Sequence, residues 1–179
     1  GVPSKAVILR GMGARSFSLV APQELTGFSS ARAVAAGDFN RDGKPDLAIG
    51  AGLGVRIFLN TGTGTGAISF AAQATLPTVT NAISLALGDF DCDGTFDIAA
   101  VPENRDEVRV FRGKGDGTFD LLATKPAGGA KHVAAGDINR DGKDDIAFAS
   151  ALQPDNVYVY LRTATGFNGP LYVDTPTLY

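Results

Sequence analysis

The stretch Asp38-Phe39-Asn40-Arg41-Asp42-Gly43-Lys44-Pro45-Asp46 decides how the chain is read, because it returns twice. The second copy is Asp89-Phe90-Asp91-Cys92-Asp93-Gly94-Thr95-Phe96-Asp97. The third is Asp137-Ile138-Asn139-Arg140-Asp141-Gly142-Lys143-Asp144-Asp145. The shared pattern is Asp-x-Asn/Asp-x-Asp-Gly-x-x-Asp. Oxygen side chains at loop positions 1, 3, 5 and 9 can converge on one hard cation, and the glycine at position 6 permits the sharp turn around it. Calcium suits this set because it accepts six to eight oxygens in flexible geometry, whereas magnesium demands a stricter octahedron. Asp, Asn and Gly are also ordinary turn formers. One copy could be a plain turn. Three copies keeping the same oxygen positions and the same glycine point to a ligand that all three share.

Three Ca2+ sites are therefore expected, one per loop. The ligands would be Asp38, Asn40, Asp42 and Asp46 in the first loop, with the main-chain carbonyl of Lys44 at position 7. They would be Asp89, Asp91, Asp93 and Asp97 with the carbonyl of Thr95 in the second. Asp137, Asn139, Asp141 and Asp145 with the carbonyl of Lys143 would serve the third.

An EF-hand would need a bidentate Glu at position 12. That position holds Ile49, Ala100 and Phe148. The flanks are not helical either. Runs such as Ala33 to Gly37, Leu47 to Gly50, Leu85 to Gly88 and Ile98 to Val101 are short, small or apolar, and bounded by glycine. Such runs read as buried strands. Each loop is thus expected at the tip of a β-hairpin.

The loops recur 51 and then 48 residues apart, a period that points to propeller blades or another repeat array. Other elements keep step. After each loop comes an apolar strand: Val55 to Leu59, Val108 to Phe111, Val157 to Leu161. A Gly/Thr-rich turn and an aromatic follow, the aromatics being Phe70, Phe119 and Phe167. Four strands in about fifty residues match a propeller blade. The N-terminus carries half of the pattern, in Val7 to Gly11 and Phe17 to Val20. The expected fold is all-β: a β-propeller segment of about three and a half four-stranded blades. Residues 1–179 form one unit, with a half-blade at 1–30 and blades near 31–80, 82–130 and 132–179.

The segments Val34 to Gly50 and Val110 to Phe119 resemble FG-GAP/VCBS repeats, which build the calcium-binding propeller of integrin α-subunits and of many secreted bacterial proteins. The resemblance spans nearly the whole chain. It implies that the calcium loop joins the first and second strands of a blade, and that the Ala/Gly-rich strand before each loop is innermost. It also implies a secreted or cell-surface location.

Composition narrows the classes of function. The net charge of −3 gives no basic footprint for nucleic acid. No run of 18 apolar residues is present, so no membrane-spanning helix is expected. The single cysteine, Cys92, allows no intrachain disulfide and falls at position 4 of its loop, where it reads as a surface residue. The only histidine, His132, sits where other repeats have Ala33 and Ser84, and reads as structural. Gly50-Ala51-Gly52-Leu53-Gly54 precedes a strand, not the helix a phosphate site wants. Lys114-Gly115-Asp116 occupies a hairpin turn. No catalytic set stands out, and the chain is expected not to be an enzyme.

Three functions stay open. The first is a calcium-stabilised extracellular binding or adhesion module that recognises protein or carbohydrate. The second is a propeller lectin, with Tyr158, Tyr160, Tyr172 and Tyr179 as possible stacking platforms for sugar rings. The third is a fragment of a larger polysaccharide-degrading propeller. Propellers close with four to eight blades, so missing blades are expected from a longer parent chain or from self-association.

Overall fold

The computed structural model describes residues 6–13, 16–19, 25–63, 68–76, 79–151 and 157–173. Within them lie fourteen strands. Strands β1 (Leu9–Gly13) and β2 (Ser16–Leu19) form an antiparallel pair. The first full sheet is β3 (Ala33–Gly37), β4 (Asp46–Ala51), β5 (Gly54–Asn60) and β6 (Phe70–Leu76). The second is β7 (Ala82–Gly88), β8 (Asp97–Pro102), β9 (Glu107–Gly113) and β10 (Phe119–Pro126). The third is β11 (Ala130–Gly136), β12 (Asp145–Ser150), β13 (Val157–Thr163) and β14 (Gly166–Val173). Each is an antiparallel meander in chain order, the blade of a partial propeller. Two sequence expectations reach past the described residues: Val20 at the end of the second N-terminal strand, and the stretch 174–179 with Tyr179.

The blades stack face to face because their central strands are apolar on both sides. In β4 alternate side chains point opposite ways. Leu47, Ile49 and Ala51 meet Leu25 and Phe28 on the N-terminal side. Ala48, with Val55 and Ile57 of β5, meets Ile98, Ala100 and Phe111 of the second blade. The pattern then repeats one blade on: Ala99, Val101, Val108 and Val110 pack on Ile146, Phe148 and Tyr160 of the third. All six residues of β8 are buried, as two-sided packing requires.

The first strand of each blade lies at the crowded inner side. Strand β7 packs against β3 and β4, and β11 against β7 and β8. Small side chains make this approach possible. A Cβ at Gly50 would stand 2.8 Å from the carbonyl oxygen of Ala82, so any larger residue would push β7 off β4.

The residue at loop position 2 bolts one blade to the next. Phe39 is 2 % exposed and meets Phe119 edge to face at 5.5 Å. Phe90 is fully buried and meets Phe167 in the same way at 5.9 Å. Ile138 holds the corresponding place in the third loop and is 50 % exposed. Truncating a fully buried Phe removes its transfer energy and leaves a cavity. Phe90→Ala should therefore cost about 3–5 kcal/mol, and Ile138→Ala about 1 kcal/mol or less. Chemical denaturation of the two variants checks the difference; equal losses would contradict this account of blade stacking.

Candidate metal centres

The three loops share one backbone. Position 4 is left-handed in each: Arg41 at φ 59°, Cys92 at 64° and Arg140 at 62°. Position 6 is Gly43, Gly94 or Gly142, at φ 80°, 79° and 83°. A non-glycine residue in this region costs energy and persists only where its surroundings fix it. Here the position-1 carboxylate does the fixing. Asp38 accepts from the N–H groups of Asp42 (3.1 Å) and Gly43 (2.8 Å). Asp89 does so from Asp93 (3.0 Å) and Gly94 (2.9 Å), and Asp137 from Asp141 (2.9 Å) and Gly142 (2.8 Å). Each loop joins the first and second strands of its blade. It is a hairpin tip and not an EF-hand.

Position 9 has a task the sequence did not suggest. Asp46, Asp97 and Asp145 are completely buried at the start of the second strand. One carboxylate oxygen accepts from the position-2 N–H: Phe39 at 2.8 Å, Phe90 at 2.7 Å, Ile138 at 3.0 Å. The other accepts from the end of the third strand: Asn60 at 2.7 Å, Gly113 at 2.8 Å, Arg162 at 2.7 Å. The expected ligand is thus also a clamp between loop and sheet. Burial pushes the Asp97 carboxyl up to about 7 and raises Asp46 as well, the neighbouring loop aspartates adding repulsion.

The second loop brings three expected ligands together. Carboxylate oxygens of Asp89, Asp91 and Asp97 lie within 4.8 Å of one another. Asp93, the fourth, stands outside that group. It accepts from the N–H (2.7 Å) and the hydroxyl of Thr95, and that hydroxyl bond leads in holding its carboxyl below the usual range. In the first and third loops the position-5 carboxylates behave alike, accepting from Lys44 N–H (3.0 Å) and Lys143 N–H (3.0 Å). Asn40 and Asn139 at position 3 accept from Asp42 (3.2 Å) and Asp141 (3.0 Å).

One atom tests whether a cation fits. Asp91 Oδ1 is buried and has no hydrogen-bond partner, and a carboxylate oxygen of Asp91 lies within 4.8 Å of those of Asp89 and Asp97. Burial and the neighbouring Asp93 charge raise its carboxyl. The nearest guanidinium, Arg112, reaches only the other oxygen, at 3.8 Å. An unpaired buried acceptor is costly and a crowd of carboxylates repels itself, so the set suits a hard divalent ion.

Repeated blades with acidic hairpin tips define a class, the partial propeller built of acid-loop repeats. A family model described as FG-GAP-like repeat matches residues 1–49, 38–100 and 93–148. The chain belongs to the FG-GAP repeat family. No curated protein matches it. Among the described residues, no helix is long and apolar enough to cross a membrane.

The raised Asp97 pKa gives a pH prediction. Because its folded value of about 7 lies well above the ordinary aspartate value of 3.8, calcium-free protein keeps the associated stability at low pH and loses it as pH rises toward 7. An ion needs the deprotonated carboxylate, so the calcium contribution runs the other way. The difference in melting temperature between calcium and EDTA should be larger at pH 8 than at pH 5. Equal differences at the two values would contradict this assignment of Asp97.

Proposed function

We propose that the chain is a non-catalytic, calcium-stabilised binding or adhesion module that works outside the cell and recognises protein or carbohydrate. The observation that carries the calcium reading is the buried, unpartnered Asp91 Oδ1 within a loop geometry repeated three times. On this reading one ion sits in each loop. Its ligands are the side chains at positions 1, 3, 5 and 9 and the carbonyl of Lys44, Thr95 or Lys143. Asp42, Asp93 and Asp141 would turn from their present local partners toward the ion. Partly exposed hairpin tips suit weak extracellular sites, which work at the high calcium levels found there.

The partner surface follows from the exposed side of the third blade. Ala147, Val157 and Leu161 are half-buried, and Ala149 is exposed. Their counterparts Ala48, Val55 and Leu59 in the first blade are buried against the second. With Ile138 this face matches two internal interfaces of the same chain. A further sheet of the same repeat, from a longer parent chain or another copy, would cover it.

A lectin reading has one observation in its favour. A cleft of about 350 Å3 opens between the second and third blades, lined by Leu122, Lys125, Arg162 and Phe167 among others. Exposed Tyr172 stands at its own site, edge-on to Tyr158 at 5.2 Å. Glycan binding would favour this reading, provided it is lost in Lys125→Ala and Phe167→Ala.

Calorimetry should count three Ca2+ per chain, with the second loop tightest because it alone has aspartate at all four side-chain ligand positions, 1, 3, 5 and 9. Calcium at about a hundred times Kd adds roughly 2.7 kcal/mol per site, on the order of 5–10 °C in melting temperature for a chain of this size. EDTA should remove that gain and excess Ca2+ restore it. An unchanged melting curve would sink the proposal.

A further inference from the structure

Loop position 8 is Pro45, Phe96 and Asp144 in turn, and in the second and third blades it lies over the glycine that precedes the loop of the blade before. A Cβ at Gly37 would stand 3.0 Å from the Phe96 ring, and one at Gly88 would stand 3.1 Å from Asp144 Oδ2. Between the first and second blades the contact is apolar. Between the second and third it is a hydrogen bond: Asp144 Oδ2 accepts from the backbone N–H of Asp89 at 2.9 Å. Asp89 is position 1 of the second loop, the residue that fixes its turn through Asp93 and Gly94. The third blade therefore grips the second loop at its first residue.

A second strut runs beside it. Arg162 donates through its backbone N–H to Asp145 Oδ1 at 2.7 Å, and through Nε to the carbonyl of Phe90. One residue thus joins the position-9 clamp of the third loop to position 2 of the second. From the other side, Arg41 Nη2 donates to the carbonyl of Asp93 at 3.0 Å.

We propose that Asp144 is a positioning residue for the second calcium loop, holding Asp89 from the neighbouring blade so that ion binding there depends on how the third blade is seated. This rests on the calcium reading given above. Partners that orient a metal ligand without touching the ion are worth on the order of tenfold or more in affinity. The Asp144 carboxylate also adds negative charge near the site, which an asparagine would remove while keeping an acceptor oxygen.

The test uses the full chain, titrated with Ca2+ and followed by the amide signals of Gly43, Gly94 and Gly142, one per loop. Asp144→Ala should weaken the affinity reported by Gly94 by about tenfold and leave that reported by Gly43 unchanged. In EDTA the same variant should speed hydrogen exchange at the Asp89 amide. Asp144→Asn should largely rescue both, and Asp144→Leu, of similar size but without an acceptor for the Asp89 N–H, replaces the alanine variant if that folds poorly. A wild-type chain in which no loop amide responds to Ca2+ overturns the calcium reading and this proposal with it. If wild type responds and the variant lacking the acceptor matches it in either Gly94 affinity or Asp89 exchange, or if Asp144→Asn is as impaired as that variant, the proposal alone falls. Equal loss at Gly43 and Gly94 also overturns it, since that would signal general destabilisation.

Discussion

Three carboxylates held completely out of water set the terms for this fold. Asp46, Asp97 and Asp145 are each buried where a loop enters the second strand, and each spends both oxygens on backbone N–H groups. A buried charge is costly unless it is paired or hydrogen-bonded. Two N–H donors offset part of that cost and in return fix two distant pieces of backbone. The loop's second residue is drawn in, so its aromatic side chain points at the next blade. The third strand is tied at its end, so the hairpin after it has one register. Moving the aspartate would free the loop, the inter-blade bolt and the third-strand terminus together.

The same constraint explains why blades stack as they do. Each central sheet is apolar on both faces, and an antiparallel sheet with two apolar faces needs cover on both. Leu25 and Phe28 cover the first blade, the second blade is enclosed, and the third carries its apolar side chains on a face of graded exposure. The position-2 residue follows the same gradient: Phe39 and Phe90 are buried, and Ile138 is half exposed. Burial here is set by the neighbour, not by the residue's own blade.

Much of this was legible in the sequence because it is local. Loop oxygens, the glycine at position 6 and short glycine-bounded strands are encoded within a dozen residues, and they fixed blade order and hairpin position correctly. The part that was not legible depends on residues far apart in the chain. Asp144 lies 55 residues from the amide it binds, and Arg41 lies 52 from its carbonyl. Nothing in a nine-residue pattern distinguishes Asp144 from Phe96 or Pro45 as a contact to the blade before. The pattern also made the position-9 aspartates ligands alone, although their buried oxygens tie strands together. For position 5 it gave one role, whereas Asp42, Asp93 and Asp141 are turned to their own loop backbones.

The second loop differs from its neighbours by one substitution with several consequences. Asn40 and Asn139 accept a hydrogen bond inside their own loops, whereas the matching oxygen of Asp91 is buried and unpartnered. The second loop carries a negative charge where its neighbours carry a neutral amide. Without an ion that difference is unfavourable, since the added charge faces Asp89 and Asp97. The arginines around it act in the right direction but at poor range or on carbonyls: Arg112 at 3.8 Å, Arg41 on Asp93, Arg162 on Phe90. They hold the loop's shape without neutralising its centre. A loop arranged in this way is stiffened by both neighbouring blades and left short of positive charge at its middle, which is the condition under which a divalent ion gains most by entering.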